Sequence, residues 1–188
     1  PASQPYRFEF HLLSDPQTVN AFALPGGQVF ITYALYSKLQ SEDQLAGVLG
    51  HEVAHVVERH SAQQIAKQQL TQGLTGAAVI ASYDPDNPTG SVGKAAMAAL
   101  IGNLVNMKYG RGDELESDRR GIEYMMKAGY NPEGMVGVME VLAAAGGGSS
   151  RPEFFSTHPN PDNRIARIRE AIAEMRQNGT LSVVPTEN

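Results

Sequence analysis

The 188-residue chain has no cysteine. That excludes a thiolate metal site, a disulfide framework and a thiol nucleophile, so any metal must be held by imidazole and carboxylate. Positive charge is scarce as well: 15 Lys and Arg stand against 20 Asp and Glu, a net charge of −5 with a pI near 5.5. Without a basic run there is no electrostatic footprint for nucleic acid or an anionic membrane, and neither is expected as a partner. Also missing are a signal peptide, an internal repeat and any apolar run of about 18 residues. The chain opens on Pro1 rather than Met, as expected of a processed or truncated soluble part, which leaves open a leader or anchor before it.

What is present fits one domain, residues 1–188, long enough to bury a core. Phe8, Phe10 and Leu12 alternate with Arg7, Glu9 and His11 in the period of a half-buried strand, which leaves His11 exposed. Two more strands, about 19–24 and 28–32, meet at Pro25-Gly26-Gly27, and together they predict a small antiparallel sheet. Ser41 and Gln44 form a capping box, from which one helix is expected to run from Glu42 to about Gln72, roughly 45 Å. Beyond it "GLTGAAVIA" and "KAAMAALIGNLV" are short apolar stretches separated by a loop, each too short to span a membrane. Asp113 is expected to cap a helix that stops at Gly129. Asn131-Pro132 opens another to about Ala145, and a last one runs from Asn160-Pro161 to Asn178-Gly179. "GGGSS" at 146–150 reads as a surface loop, and the tail beyond Thr180 as frayed.

The stretch "GVLGHEVAHVVERHS" puts His51, Glu52 and His55 in H-E-x-x-H. On a helix, residues four apart face the same way, so both imidazoles can aim at one ion while Glu52 flanks it. Chance produces the pattern in roughly one chain of this length in a few hundred. A solvated polar face is the plain alternative, but Leu45, Val48, Leu49, Val53, Val56 and Val57 surround the motif, and buried polar groups need partners.

A third ligand is the test. His60 is out of register, and Glu58 shares the face but is hard to converge with the histidines on one straight helix, which makes it the weaker candidate. On the helix beginning near Asp113, Asp118, Gly121, Ile122, Met125 and Ala128 lie within about 80° of Glu114. Glu116, Arg119, Arg120, Glu123 and Lys127 occupy the far face, where Glu116–Arg120 and Glu123–Lys127 are spaced for ion pairs. Two carboxylates stacked on an apolar face need something cationic. Zinc at Glu114, and the outer N–H of a ligating histidine at Asp118, would satisfy both. Gly121 would let the two helices pack closely.

H-E-x-x-H followed by E-x-x-x-D (Glu114 to Asp118) resembles the gluzincins. "NAFALPGG", "HEVAHVVERHS", "YGRGDELESDRRG" and "STHPNPDNRIARI" together resemble the HtpX and CaaX-prenyl-protease type of zinc metallopeptidase, closest to its soluble bacterial envelope members. The implied fold is α+β and mostly α, with the small sheet leading and the long H-E-x-x-H helix packed on a second ligand-bearing helix. The resemblance places a histidine, His158, near the metal, as oxyanion donor first of all, or else in the open zinc position where it would hold the enzyme latent. A surface-loop role is the plain alternative. It also makes Asn20, Ala21, Phe22 and Ala23 an edge strand that pairs with extended substrate, an ordinary sheet strand being equally open. Arg111 and Arg164 could aid the oxyanion, brace the carboxylates or sit in surface ion pairs.

Three protein ligands, His51, His55 and Glu114, leave one position on a single zinc for water, whose acidity the metal raises and whose proton Glu52 would pass to the leaving amine. The expected function is a zinc endopeptidase acting on unfolded or misassembled proteins, periplasmic by the family's habit, with a lipid anchor left open. Against it stands a catalytically silent, zinc-stabilised binding or assembly factor.

Overall fold

Gly26 and Gly27 both take positive φ, 103° and 107°, and fold Ala21–Leu24 (β2) back on Gln28–Thr32 (β3) as an antiparallel pair. Glycine is the residue that adopts these angles without strain. The computed structural model describes residues 6–72, 91–146, 152–159 and 163–178. In it Glu9–Leu13 (β1) pairs with β3 in parallel, Phe10 opposite Val29, so the strand order is β1-β3-β2 and the sheet is mixed rather than wholly antiparallel. The alternation of a strand says which face is apolar but not which neighbour it takes. Residues 14–20 carry the chain across the sheet end, and β1 therefore meets β3 instead of β2.

β2 and β3 lie over the H-E-x-x-H helix, burying Ala21, Ala23, Val29 and Ile31. Phe10 and Leu12 share that face by register but sit on the overhanging edge strand, and both are about half exposed, 54% and 53%. On the opposite face His11, expected to be exposed, stacks on Phe30 with ring centroids 4.8 Å apart and bonds Gln28 Oε1 at 2.6 Å; Phe30 in turn stacks on Phe22.

A short helix, Tyr33–Tyr36 (α1), leads to Glu42–Val57 (α2), capped by Ser41, whose Oγ accepts from the Gln44 N–H. The expected continuous helix to Gln72 is broken: α2 ends at Val57 and His60–Gln72 (α3) starts anew. Arg59, between them, has φ 59°. A left-handed non-glycine residue costs roughly 1–2 kcal/mol, and no residue near it announces the turn. Its effect is to swing His60 and Ser61 into the interior.

Ser91–Val105 (α4) contains the second apolar stretch and packs against β2; the first stretch and the loop between them lie outside the described residues. Arg111–Lys127 (α5) begins three residues earlier than expected, with Gly110 at the cap instead of Asp113. Asp113 sits inside the first turn, its carboxylate accepting from the Gly110 N–H at 2.9 Å. α5 stops as expected: Gly129 has φ 85°, and the N–H groups of Tyr130 and Gly129 close on the Met125 and Met126 carbonyls. Glu133–Ala145 (α6), Phe154–Thr157 (α7) and Arg164–Gln177 (α8) follow. "GGGSS" from 147 on, residues 160–162 and the tail lie outside the described residues.

The core is helical. Val48 of α2, Ile122 and Met125 of α5, Leu142 of α6 and Ile168 and Ile172 of α8 are buried in one cluster. α2 and α5 touch backbone to backbone at Gly50 and Gly121, where a methyl on Gly121 would lie 3.0 Å from the His51 nitrogen and 2.9 Å from Met135 Cε. That close approach brings the polar faces of the two helices within bonding reach. No described helix is long and apolar enough to cross a membrane.

Candidate active site

α2 carries His51, Glu52 and His55, α5 carries Glu114 and Asp118, and the segment after α7 supplies His158; all six side chains are buried. One ligand atom from each of His51, His55, Glu114 and His158 falls within 4.8 Å of the others. His51 Nε2 is 3.0 Å from His55 Nε2, and Glu114 Oε2 and Oε1 are 3.5 Å and 3.4 Å from the two nitrogens. A tetrahedral zinc with bonds of about 2.0–2.1 Å holds neighbouring donors about 3.3–3.4 Å apart. The two Glu114 separations, each to a different oxygen, lie near that figure, and the histidine nitrogens stand closer, at 3.0 Å.

Hydrogen bonding adds to this. Asp118 Oδ1 accepts from His51 Nδ1 at 3.0 Å, which leaves Nε2 of a neutral His51 as a bare lone pair facing His55 Nε2. Two ring nitrogens at 3.0 Å need something between them: a proton carried by either ring, or a metal. In the metal-free site burial opposes the imidazolium, but Asp118 and Glu114 outweigh it and lift the pKa of His51 to about 9. Burial lowers His55 to about 4 despite Glu114. Both oxygens of Glu114 are buried without an aligned hydrogen bond, as are both of Glu52 and Nε2 of His158. Unsatisfied groups of this kind are rare and costly unless an ion or water completes them. Two imidazoles and a carboxylate are the borderline donor set that suits zinc.

Arg164, left unranked by sequence reasoning, is wholly buried and braces both carboxylates. Its Nε and Nη2 donate to Asp118 Oδ2 and Oδ1 at 2.7 Å and 2.8 Å, and its Nη1 lies 3.0 Å from Glu114 Oε2. Arg111 is exposed at the start of α5. Burial raises Glu52 to about 7, against the pull of His51 and Arg164. The Ala23 N–H points at that carboxylate without forming an aligned bond. His158 is no surface histidine: its Nδ1 donates toward Thr157 Oγ1, 2.8 Å away, and the Phe154 carbonyl, 3.3 Å away, so the free lone pair is on Nε2, 3.5 Å from Glu52 Oε1.

The match to known families decides what kind of site this is. The family model described as peptidase family M48 matches residues 1–172. The chain belongs to peptidase family M48. This M48 chain is 35% identical over 181 residues to a beta-barrel assembly-enhancing protease of Yersinia pestis, an alignment covering 93% of the chain and 36% of that protein. It is 35% identical over 169 residues to the mitochondrial metalloendopeptidase OMA1 of Schizosaccharomyces pombe, covering 89% and 48%. With the metalloprotease YcaL of Escherichia coli it shares 30% over 173 residues, covering 90% and 63%. The chain thus spans about a third of the length of the Yersinia pestis relative, and it is a metallopeptidase domain by this membership.

Sequence reasoning missed two residues of this M48 site. Tyr109 stacks on His55 with centroids 3.9 Å apart and bonds Ser61 Oγ at 2.9 Å; an aromatic directly before "GRGDE" was the only signal. His60 was set aside as out of register, yet its Nδ1 lies 3.0 Å from His55 Nδ1 because Arg59 ends the helix. Glu116 does not pair with Arg120 as its spacing suggested but reaches His60 Nε2 at 3.4 Å, and Arg120 pairs with Glu58 instead. The expected Glu123–Lys127 pair is present.

Proposed function

We propose that residues 1–188 form the single catalytic domain of a zinc endopeptidase that cleaves unfolded or misassembled proteins on the periplasmic side of a bacterial envelope. The observation that carries this reading is the Glu52 carboxylate, fully buried, without a hydrogen bond and held beside four donor atoms that lie within 4.8 Å of one another. His51, His55 and Glu114 would hold the zinc, which when bound polarises a peptide carbonyl and acidifies water. Glu52, buried beside the donor set, would take a proton and deliver it to the departing amine. Asp118 and Arg164 fix the His51 ring and the Glu114 carboxylate in the orientations the metal needs.

Asn20 to Ala23 we assign to substrate. β2 is the sheet's edge, and the bond from the Thr32 N–H to the Asn20 carbonyl sets a ladder alternation that turns the backbone of Ala21 and Ala23 away from β3. Pairing through main chain reads few side chains and fits unfolded proteins. α4 also lies against β2, so access depends on where α4 sits. The name of the Yersinia pestis relative, with the resemblance to soluble HtpX-type members, supports the envelope location.

One observation favours the rival. Four buried donors, His158 included, resemble a closed structural site, as a zinc-stabilised assembly factor would have. Such a site has no use for Glu52. With Glu52→Gln, zinc content should stay at one per chain while hydrolysis of casein disappears; casein cleavage at the wild-type rate would refute the peptidase mechanism.

A further inference from the structure

Metal-ligating histidines need their outer nitrogen held, and His51 has Asp118 for this. His55 has no carboxylate. Its Nδ1 lies 3.0 Å from Nδ1 of His60, a residue 1% exposed that no part of the peptidase chemistry uses. Two ring nitrogens at that distance share one proton, and the side on which it sits decides whether His55 can bind a metal. If His60 donates, neutral His55 carries its proton on Nε2, aimed at His51 Nε2 and Glu114, and its ligating lone pair is gone. If His55 donates, Nε2 is free.

We propose that His60 and Glu116 form a relay that fixes His55 in the ligating tautomer: His55 Nδ1–H donates to His60 Nδ1, and His60 Nε2–H donates to Glu116. The proposal rests on the zinc reading of the site. Glu116 Oε2 lies 3.4 Å from His60 Nε2 and is an acceptor only, so it holds the proton of His60 on Nε2 and leaves Nδ1 as a lone pair. Ser117 Oγ, 3.2 Å from the same Nδ1, is a hydroxyl that can donate or accept, so the choice of tautomer falls to Glu116. Tyr109, stacked on His55 and edge-on to His60, keeps both rings in place. The left-handed turn at Arg59 has its reason here: a continuous helix would carry His60 around the far side of α2, and the break brings it under His55. Glu116, a residue the helical pattern assigns to solvent, is thereby joined to the metal through two imidazoles.

Nitrogen-15 NMR of the zinc-loaded chain labelled at histidine reads the tautomers without any substitution. The expected result is a metal-shifted Nε2 on His55 and a proton on Nε2 of His60. A proton on His60 Nδ1, with His55 metal-shifted, overturns the relay alone; no metal-shifted nitrogen on His55 overturns the zinc reading and the relay together. Zinc competition with a chromophoric chelator gives the second arm. His60→Phe fills the ring volume without an acceptor and should weaken zinc binding about 10–100-fold, whereas His60→Asn, which keeps a carbonyl oxygen where Nδ1 stood, should stay within about threefold of wild type. Equal loss in both variants would reduce His60 to a packing residue, and unchanged affinity in His60→Phe would remove the relay.

Discussion

Arg164 grips Asp118 with two parallel hydrogen bonds, Nε to Oδ2 at 2.7 Å and Nη2 to Oδ1 at 2.8 Å, while Oδ1 also accepts from His51 Nδ1 at 3.0 Å. Every acceptor position of this buried carboxylate that faces the site is in use, and its negative charge is matched by the guanidinium. An amide cannot replace it. Asp118→Asn offers one oxygen, and its NH2 must face either the Arg164 fork or the His51 N–H, donor against donor. Zinc affinity measured by chelator competition should fall about 10–100-fold. An affinity equal to wild type would reduce Asp118 to a partner of Arg164 with no bearing on the metal.

Glu114 and Glu116 separate a proposed ligand from a neighbour two residues away. Glu114 is fully buried between the two histidines, whereas the side chain of Glu116 is 52% exposed and reaches His60 Nε2 at 3.4 Å. Glu114→Ala should abolish stoichiometric zinc in the purified chain. Glu116→Ala should keep most of it, since water can take over as acceptor at a half-exposed site. Zinc retained at one equivalent in Glu114→Ala, by elemental analysis, would remove Glu114 from the ligand set.

The metal-free site makes a prediction in pH. His51 is lifted to about 9 when folded, from an ordinary value near 6.5, so between those values the folded chain binds more proton than the unfolded one. Its contribution to stability is therefore complete below about 6.5 and lost as the pH rises through 9. Glu52, raised to about 7, acts in the same direction up to that point, and the lowered pKa of His55 acts the other way only below about 6.5. Zinc on His51 Nε2 takes the place of that proton. Urea midpoints of chelated protein should fall from pH 6.5 to 9, and zinc-loaded protein should lack the fall; parallel slopes would mean that His51 titrates as usual or does not meet the metal.

H-E-x-x-H and the Glu114–Asp118 face were legible because both sit on regular helices, where spacing alone says which side chains share a face. Gly121 was legible for the same reason, as the point where α2 and α5 could meet. What periodicity could not supply were the places where the chain departs from it. Arg59 takes a left-handed angle that no local residue requires, and so His60, read as the far side of a longer helix, arrived at the site unseen. The parallel partner of β1 depends on where residues 14–20 cross, and the exposure of Phe10 on how far α2 extends under the sheet. Arg164 was visible as a residue but not as a brace, because its partners lie 46 and more positions away in the chain.

His158 offers two opposed outcomes. An oxyanion donor must present an N–H, yet here Nδ1 carries the proton, turned toward Thr157 Oγ1 and the Phe154 carbonyl, and Nε2 presents a lone pair among the metal donors. Burial also pushes the His158 imidazolium well below its ordinary range despite the opposing charge of Glu114, which disfavours a second proton on the ring. The conformation therefore presents His158 Nε2 as a fourth donor atom, with Nδ1 turned to the Phe154 carbonyl at 3.3 Å. His158→Ala should loosen zinc while freeing the position that water needs, so casein hydrolysis, compared at equal zinc occupancy, should be equal to wild type or faster. A fall in kcat of about 10²–10³ at equal occupancy would show instead that the ring rotates to donate to the oxyanion during turnover. Zinc affinity separates the two roles independently of rate: loss of a ligand weakens it, whereas loss of a donor that acts only on substrate leaves it unchanged.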